Sequence, residues 1–297
     1  MPKKRSPFRN AAEEGLVRAL LGVFARLSPE AAEAAGRGLG RLLGRALTGR
    51  RRLAERNLSR AVPGLDEARV RALAGDVFAH FGGLAAELLR SAALPVEETL
   101  ERIEVVGFEN VRAASASGRG FFMLTPHLGN WEFAAIATGA KGPSSSVIAR
   151  PLDNPLLDRL LTDFRQRTGN RVVPKSEAAR EMLRTLRSGG SIGILPDQHA
   201  HPPDAVVVPF FGLPASTTTA VARFAERTGA LVVPAACVRI APARWRLTFY
   251  EPLDVRSLPP EERTIEAFTA RVNLLVEGLV RERPDQWLWL HNRWRLD

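Results

Sequence analysis

Gly120-Phe121-Phe122-Met123-Leu124-Thr125-Pro126-His127-Leu128-Gly129-Asn130-Trp131-Glu132 is the stretch on which the reading of this chain turns. The apolar run from Gly120 to Leu124 reads as a short buried strand, and Phe133-Ala134-Ala135-Ile136-Ala137 reads as the opening of a helix. A histidine and a carboxylate therefore lie together on a strand-to-helix turn. Open α/β folds place their ligands at the carboxyl ends of strands, on turns of this kind. Histidine titrates nearest neutral pH and is the natural general base, while a carboxylate can fix its tautomer and steady its charged form. The plain alternative is a satisfied structural histidine, because a lone His-x4-Glu is a weak motif. On one continuous helix the two residues would stand roughly 140° apart. The pattern therefore requires His127 to precede the helix, with Asn130 as its N-cap.

Around this turn, strand-like and helical runs alternate. Strands are predicted at Ile103 to Val106, Ser146 to Ala149, Arg171 to Val173, Ser191 to Leu195, Ala205 to Val208, Leu231 to Val238 and Trp245 to Glu251. Helices are predicted at Glu109 to Ser117, Pro155 to Thr168, Glu177 to Arg187, Thr218 to Thr228 and Arg263 to Arg283. The predicted class is α/β, a mixed central sheet flanked by helices, over residues 101–297. Residues 1–100 read as a helical lobe that docks on a membrane, ending in one long helix from Asp66 to Leu94.

The charge is concentrated in that lobe. The chain carries +10 overall, and residues 1–60 hold 14 Lys plus Arg against 5 Asp plus Glu. Such asymmetry points to an anionic partner. Met1 to Arg9 reads as a mobile basic tail. Leu16 to Leu27 is interrupted by Arg18 and Arg26, too short and too charged to span a bilayer or to serve as a signal peptide. It fits a helix lying in the interface or an ordinary surface helix. After Ser28-Pro29, Gly36, Gly40 and Gly44 alternate with Arg37, Arg41 and Arg45, a glycine row for close helix approach beside a basic stripe. These charges admit a nucleic-acid reading, but only Phe8 and Phe24 could stack on bases and no recognition motif occurs, so no nucleic-acid partner is expected. Cys237 is the only cysteine, so the chain has no internal disulfide and no cysteine metal cluster, and its apolar run marks it as core.

Other segments compete for chemistry. Gly189-Gly190-Ser191-Ile192-Gly193 matches G-x-S-x-G, but helix and strand stand in the wrong order around it. Asp197 and Gln198 follow a predicted strand and are site candidates. His199 and His201 raise metal binding but lack further clustered ligands, and they read as solvated. Arg150 leaves another strand, with Arg165 behind it, and arginine forks suit phosphate and carboxylate. Phe210 and Phe211 wall an apolar channel or pack the core. The three tryptophans of Trp287 to Trp294 close the domain core.

Taken together and in order, these blocks resemble one family. His127 to Glu132 resembles the His-x4-Glu/Asp motif of the lipid A biosynthesis lauroyl/myristoyl acyltransferases, a group that includes the phosphatidylinositol mannoside acyltransferases. Arg150 to Pro155, Leu195 to Gln198, Val208 to Gly212 with Thr217, and Trp287 to Arg295 look like its later blocks. The resemblance implies a glycerolipid acyltransferase-like fold at the cytoplasmic face of a bacterial inner membrane. It implies transfer of an acyl chain from an acyl-carrier protein or acyl-CoA co-substrate, with no other cofactor and no metal, onto a hydroxyl of a glycolipid acceptor. By the same resemblance His127 is the base, Glu132 orients it, Arg150 and Arg165 bind phosphate or sugar of the acceptor, and Asp197 lines the acceptor side; Gln198, Asn130, Phe210 and Phe211 stand beside them as substrate-binding candidates. Family members often begin with a clear spanning helix, which Leu16 to Leu27 is not, and His199 and His201 lie outside the shared pattern. The rival readings are a non-catalytic lipid-binding protein at the membrane surface and a lipid or thioester hydrolase using His127 and water.

Overall fold

The computed structural model describes residues 7–296; the tail charges Lys3, Lys4 and Arg5 lie outside the described residues. Arg9 belongs to the first helix, where it pairs with Glu13 at 3.0 Å.

Four helices lead the chain: α1 (Pro7–Phe24), α2 (Pro29–Ala46), α3 (Thr48–Ala61) and α4 (Glu67–Ala93). Local chemistry sets their starts. Ser28 Oγ accepts from Ala31 N at 3.1 Å ahead of Pro29, and Asp66 Oδ1 accepts from Arg69 N at 2.8 Å. α2 packs on α4 through its small face, Ala32, Gly36, Gly40 and Gly44, all buried. A Cβ on Gly40 would press into the Phe78 carbonyl of α4, and one on Gly82 into the Gly36 carbonyl of α2. Backbone meets backbone here, so the leucines of α2 are left outside. Leu39, Leu42, Leu43 and the following Leu47 are 45–58% exposed.

The remainder alternates as expected. In chain order it runs α5 (Val96–Leu100), β1 (Ile103–Val106), α6 (Phe108–Ala116), β2 (Phe121–Leu124), α7 (Trp131–Lys141), β3 (Ser145–Ala149), α8 (Pro155–Gln166), β4 (Arg171–Pro174), α9 (Ala178–Arg187) and β5 (Ser191–Ile194). A hairpin, β6 (Ala205–Phe210) and β7 (Leu213–Thr218), precedes α10 (Ala220–Thr228), β8 (Leu231–Ala241), β9 (Arg244–Phe249) and α11 (Ile265–Glu282). The seven-stranded sheet has the order β1-β9-β8-β2-β5-β3-β4. Its pairings are parallel except β8 with β9. β2 lies between β8 and β5, with Phe121 opposite both Leu231 and Ser191. All four of its residues are buried, which is why it reads as an unbroken apolar run.

The strand β7 was not expected. The predicted strand at Ala205 to Val208 continues to Phe210, and Pro209 and Pro214 face each other in a separate two-stranded ribbon. Such an edge pair has no inner ladder for proline to break. Phe211 (φ 52°) and Gly212 (φ 70°) turn the hairpin.

Two apolar clusters fill the interior, and both contain residues of the helical segment: Leu58 and Val77 in one, Leu84 in the other. A buried ion cluster joins the same parts. Arg239 of β8 reaches Glu87 of α4 at 2.6 Å and Glu33 of α2 at 3.0 Å, while Trp245 Nε1 donates to Glu87 at 3.0 Å. Burial pushes the Glu87 carboxyl above its ordinary pKa, against the pull of Arg239. α4 is long and apolar enough to cross a membrane, but half of its most apolar window is buried within the fold.

The glycine contact yields a test. Gly40→Ala forces a methyl against a backbone carbonyl, an overpacking that costs about 1–3 kcal/mol. Urea denaturation should show that loss, whereas Gly38→Ala, facing open space on the same helix, should not.

Candidate active site

The turn from Thr125 to Asn130 stands at the carboxyl end of β2, between Leu124 and the start of α7 at Trp131. Asn130 caps α7, its Oδ1 accepting from Phe133 N at 3.0 Å. Gly129 has φ +60°, and a Cβ there would strike the Cys237 carbonyl, so only glycine fits. The turn is tied down on several sides. Asn130 N donates to Cys237 O at 2.8 Å, Gly129 N to Gln286 O at 3.0 Å, and Leu288 N to His127 O at 3.1 Å. From α4, His80 Nε2 lies 3.2 Å from Gly129 O. A carbonyl only accepts, so this nitrogen carries the proton.

His127 meets Asp197, which emerges just beyond β5. Asp197 Oδ1 is 2.8 Å from His127 Nδ1, and Oδ2 accepts from the His127 backbone N at 2.8 Å. Oδ2 also accepts from Trp287 Nε1 at 2.8 Å. The carboxyl is 2% exposed. Burial by itself would raise its pKa, but the neighbouring imidazole and these hydrogen bonds outweigh burial and hold it below the usual carboxylate range. An ionised Asp197 fixes the proton of His127 on Nδ1 and leaves a lone pair on Nε2. That nitrogen faces Gln198, whose amide nitrogen lies 3.3 Å away, and the imidazole side chain is 19% exposed. The couple is a hydrogen-bonded Asp–His pair whose second ring nitrogen is free of the carboxylate and meets the Gln198 amide, an arrangement able to take a proton from a hydroxyl or a water.

Glu132 does not orient His127, contrary to the expectation from spacing. With Asn130 as cap, Glu132 falls in the first turn of α7, where Arg165 of α8 takes both its oxygens at 2.8 and 2.5 Å. Glu132 Oε1 also accepts from Trp131 Nε1 at 3.1 Å, and the Trp131 ring stands edge-on to His127 with centroids 5.0 Å apart. Glu132 thus reaches the histidine only through Trp131. Arg165 is corrected with it. Its guanidinium is committed to Glu132, which outweighs burial and raises its pKa above the ordinary value.

The other candidates divide. Asn130 is fully buried as a cap, and Asp197 is a buried partner of His127 instead of a lining group. Phe210 and Phe211 are core residues, with ring centroids 5.6 Å (Phe210–Trp287), 5.8 Å (Phe210–Trp294) and 5.8 Å (Phe211–Trp289) apart. Their channel reading gives way because the tail tryptophans fill the space beside them. The apolar wall near His127 comes from Trp131, with Phe81 of α4 behind it at 6.3 Å. Arg150 stands outside on the loop after β3, 79% exposed and 3.8 Å from Asp153. His199 N donates to His291 Nε2 at 3.0 Å. Burial lowers the His291 pKa to about 4, which keeps that nitrogen an acceptor. Among the described residues no group of His, Cys, Asp and Glu is placed to hold a metal. Ser191 is buried in β5, 2.8 Å from Ser145 Oγ, and Cys237 is a buried thiol whose pKa burial raises.

The model of the bacterial lipid A biosynthesis acyltransferases matches residues 3–296. The chain belongs to this family. Relatives include the lipid A biosynthesis lauroyltransferase of Escherichia coli (strain K12), 29% identical over 262 residues, which are 88% of this chain and 84% of that protein. The lipid A biosynthesis myristoyltransferase of the same organism is 27% identical over 256 residues, 85% and 77% of the two chains. The crystal structure of the 1-acyl-sn-glycerophosphate acyltransferase of Thermotoga maritima aligns with a TM-score of 0.40 and 16% identity, over 78% of this chain and 88% of that one. As a lipid A acyltransferase family member, the chain is an acyltransferase acting on lipid.

Two tests follow from this geometry. Trp287→Phe keeps the ring and removes the donor to Asp197. A buried carboxylate oxygen then loses one hydrogen bond, and the protein should lose about 1–3 kcal/mol of stability. Urea denaturation would show an unchanged midpoint if Trp287 only packs. His80, whose pKa burial and Arg239 lower to about 3, is neutral in the fold, whereas the unfolded chain binds its proton near the ordinary 6.5. Unfolding therefore takes up a proton between those values. Stability should fall by a few kcal/mol, as an order of magnitude, as pH drops from 6.5 toward 3. His80→Gln should flatten that slope in denaturant titrations across this range.

Proposed function

We propose that the protein moves a fatty acyl chain from an acyl-carrier protein or acyl-CoA thioester onto a hydroxyl of a lipid A precursor or similar glycolipid, at the cytoplasmic face of the inner membrane. The observation that carries the chemistry is the Asp197–His127 couple at the end of β2, with Nε2 turned away from the carboxylate toward Gln198, in a chain of this family. The acceptor O–H donates to Nε2 in place of the Gln198 amide. As the proton moves to the imidazole, the oxygen attacks the thioester carbonyl and forms the new C–O bond. The tetrahedral intermediate then expels the thiolate, which recovers the proton from His127. No acyl-enzyme is required. Asp197 steadies the imidazolium, and Glu132, with Arg165, holds Trp131 against the ring. Arg150 is exposed on the loop after β3 and suits an anionic group of the acceptor.

Membrane association is supported by α2. An ordinary amphipathic helix buries its large apolar residues, but α2 buries glycine and alanine and exposes Leu39, Leu42 and Leu43 beside Arg41 and Arg45. Apolar residues flanked by arginines suit the interface of an anionic bilayer. α1 adds Leu16 at 62% and Val23 at 56% exposure.

The test is acyl transfer by purified protein from labelled acyl-carrier protein, with and without a glycolipid acceptor. His127→Ala should lower turnover by about 10²–10⁴-fold with the fold intact, and Asp197→Asn should lower it as well. Label released equally without acceptor would point to a hydrolase, and no turnover with any donor would leave a lipid-binding protein.

A further inference from the structure

At the corner between α2 and α3 lies an open cleft of about 550 Å³, lined by Leu47, Thr48, Arg50, Leu53, Arg56 and Asn292 among others. Arg50 is steadied by donation to Leu290 O at 3.3 Å. Arg56 is exposed and makes no ion pair among the described residues, since Glu55, the sole carboxylate of α3, is taken by Arg51 at 2.9 Å. No acidic side chain lines the cleft. It therefore presents two guanidinium groups with a hydroxyl and a carboxamide, a donor set for a phosphate oxygen cluster.

Position decides what carries that phosphate. Leu47 lines the cleft and also continues the exposed row of Leu39, Leu42 and Leu43. Apolar side chains entering a bilayer beside two arginines set those arginines at the depth of the headgroups. An acidic protein partner would match the charge but not the leucines.

We propose that this cleft binds the phosphodiester headgroup of an anionic membrane lipid, held by Arg50 and Arg56 with Thr48 and Asn292 completing the donors. The assignment rests on the reading of α2 as the membrane-facing helix. Its lining shares no residue with the Asp197–His127 couple, and it fixes how the protein sits on its membrane.

The full chain would be titrated with dihexanoyl phosphatidylglycerol below its micelle concentration and with inorganic phosphate, using calorimetry. In parallel it would be floated with phosphatidylcholine vesicles with and without phosphatidylglycerol. Circular dichroism would verify the fold of every variant. The expected result is saturable lipid binding weakened at least tenfold by R50Q/R56Q but less than twofold by R180Q/R187Q, which removes equal charge from exposed positions of α9 that do not line the cleft. Equal weakening by both pairs would overturn the site in favour of diffuse attraction, as would no saturable binding. Inorganic phosphate binding as tightly as the lipid would overturn the lipid assignment, and so would R50Q/R56Q losing an acidic acyl-carrier protein while retaining the lipid. Soluble lipid binding without flotation would leave the cleft standing and remove the membrane reading; flotation without soluble lipid binding would do the reverse.

Discussion

The buried carboxylate of Asp197 is the constraint around which the rest is arranged. A charge with 2% exposure needs compensation, since an unpaired buried ion costs several kcal/mol. It obtains this from one residue twice, the backbone N–H and the ring of His127, and from the indole of Trp287. The same bonds that satisfy the carboxylate therefore set the position and tautomer of the imidazole. Neighbouring features serve that fit. Gly129 lets the turn lie against β8, Gln286 and Leu288 tie it from the other side, and His80 reaches it from α4.

A second constraint governs the surface. Close contact between the backbones of α2 and α4 uses up the small residues of α2, and the leucines have only the outside left. Helix packing and surface apolarity are thus one fact. The buried Glu33–Arg239–Glu87 cluster then fastens this helix pair to β8, the strand that also receives Asn130. The surface that carries these leucines is thereby joined to the sheet that carries the histidine.

What could be read from the chain followed from range. Phe121 to Leu124 is legible as a central strand because burial on both faces leaves an unbroken apolar run, and Asn130 as a cap because capping is local. The partner of His127 is another matter. Glu132 is near in sequence and Asp197 is 70 residues away, and only the direction in which α7 leaves its cap decides between them. Phe210 and Phe211 were ambiguous for the same reason, since aromatic residues wall a channel or a core depending on what stands opposite. Trp287 was read as packing, which it is, but its donor to Asp197 lies 90 residues from its acceptor. The hairpin β6–β7 was hidden by prolines that an isolated ribbon tolerates.

The separations between His127, Asp197 and Trp287 also bear on the order in which the molecule comes into being. A nascent chain that has made His127 and the whole of β2 still lacks the carboxylate, and one that has made the carboxylate still lacks the indole that satisfies it. Contacts so distant in sequence form late, after the loops between them have closed. The complete Asp197–His127–Trp287 arrangement therefore belongs only to the completed fold. A partly synthesised or locally opened chain has the imidazole without the satisfied carboxylate that fixes its tautomer, so the couple and the correct fold arrive together.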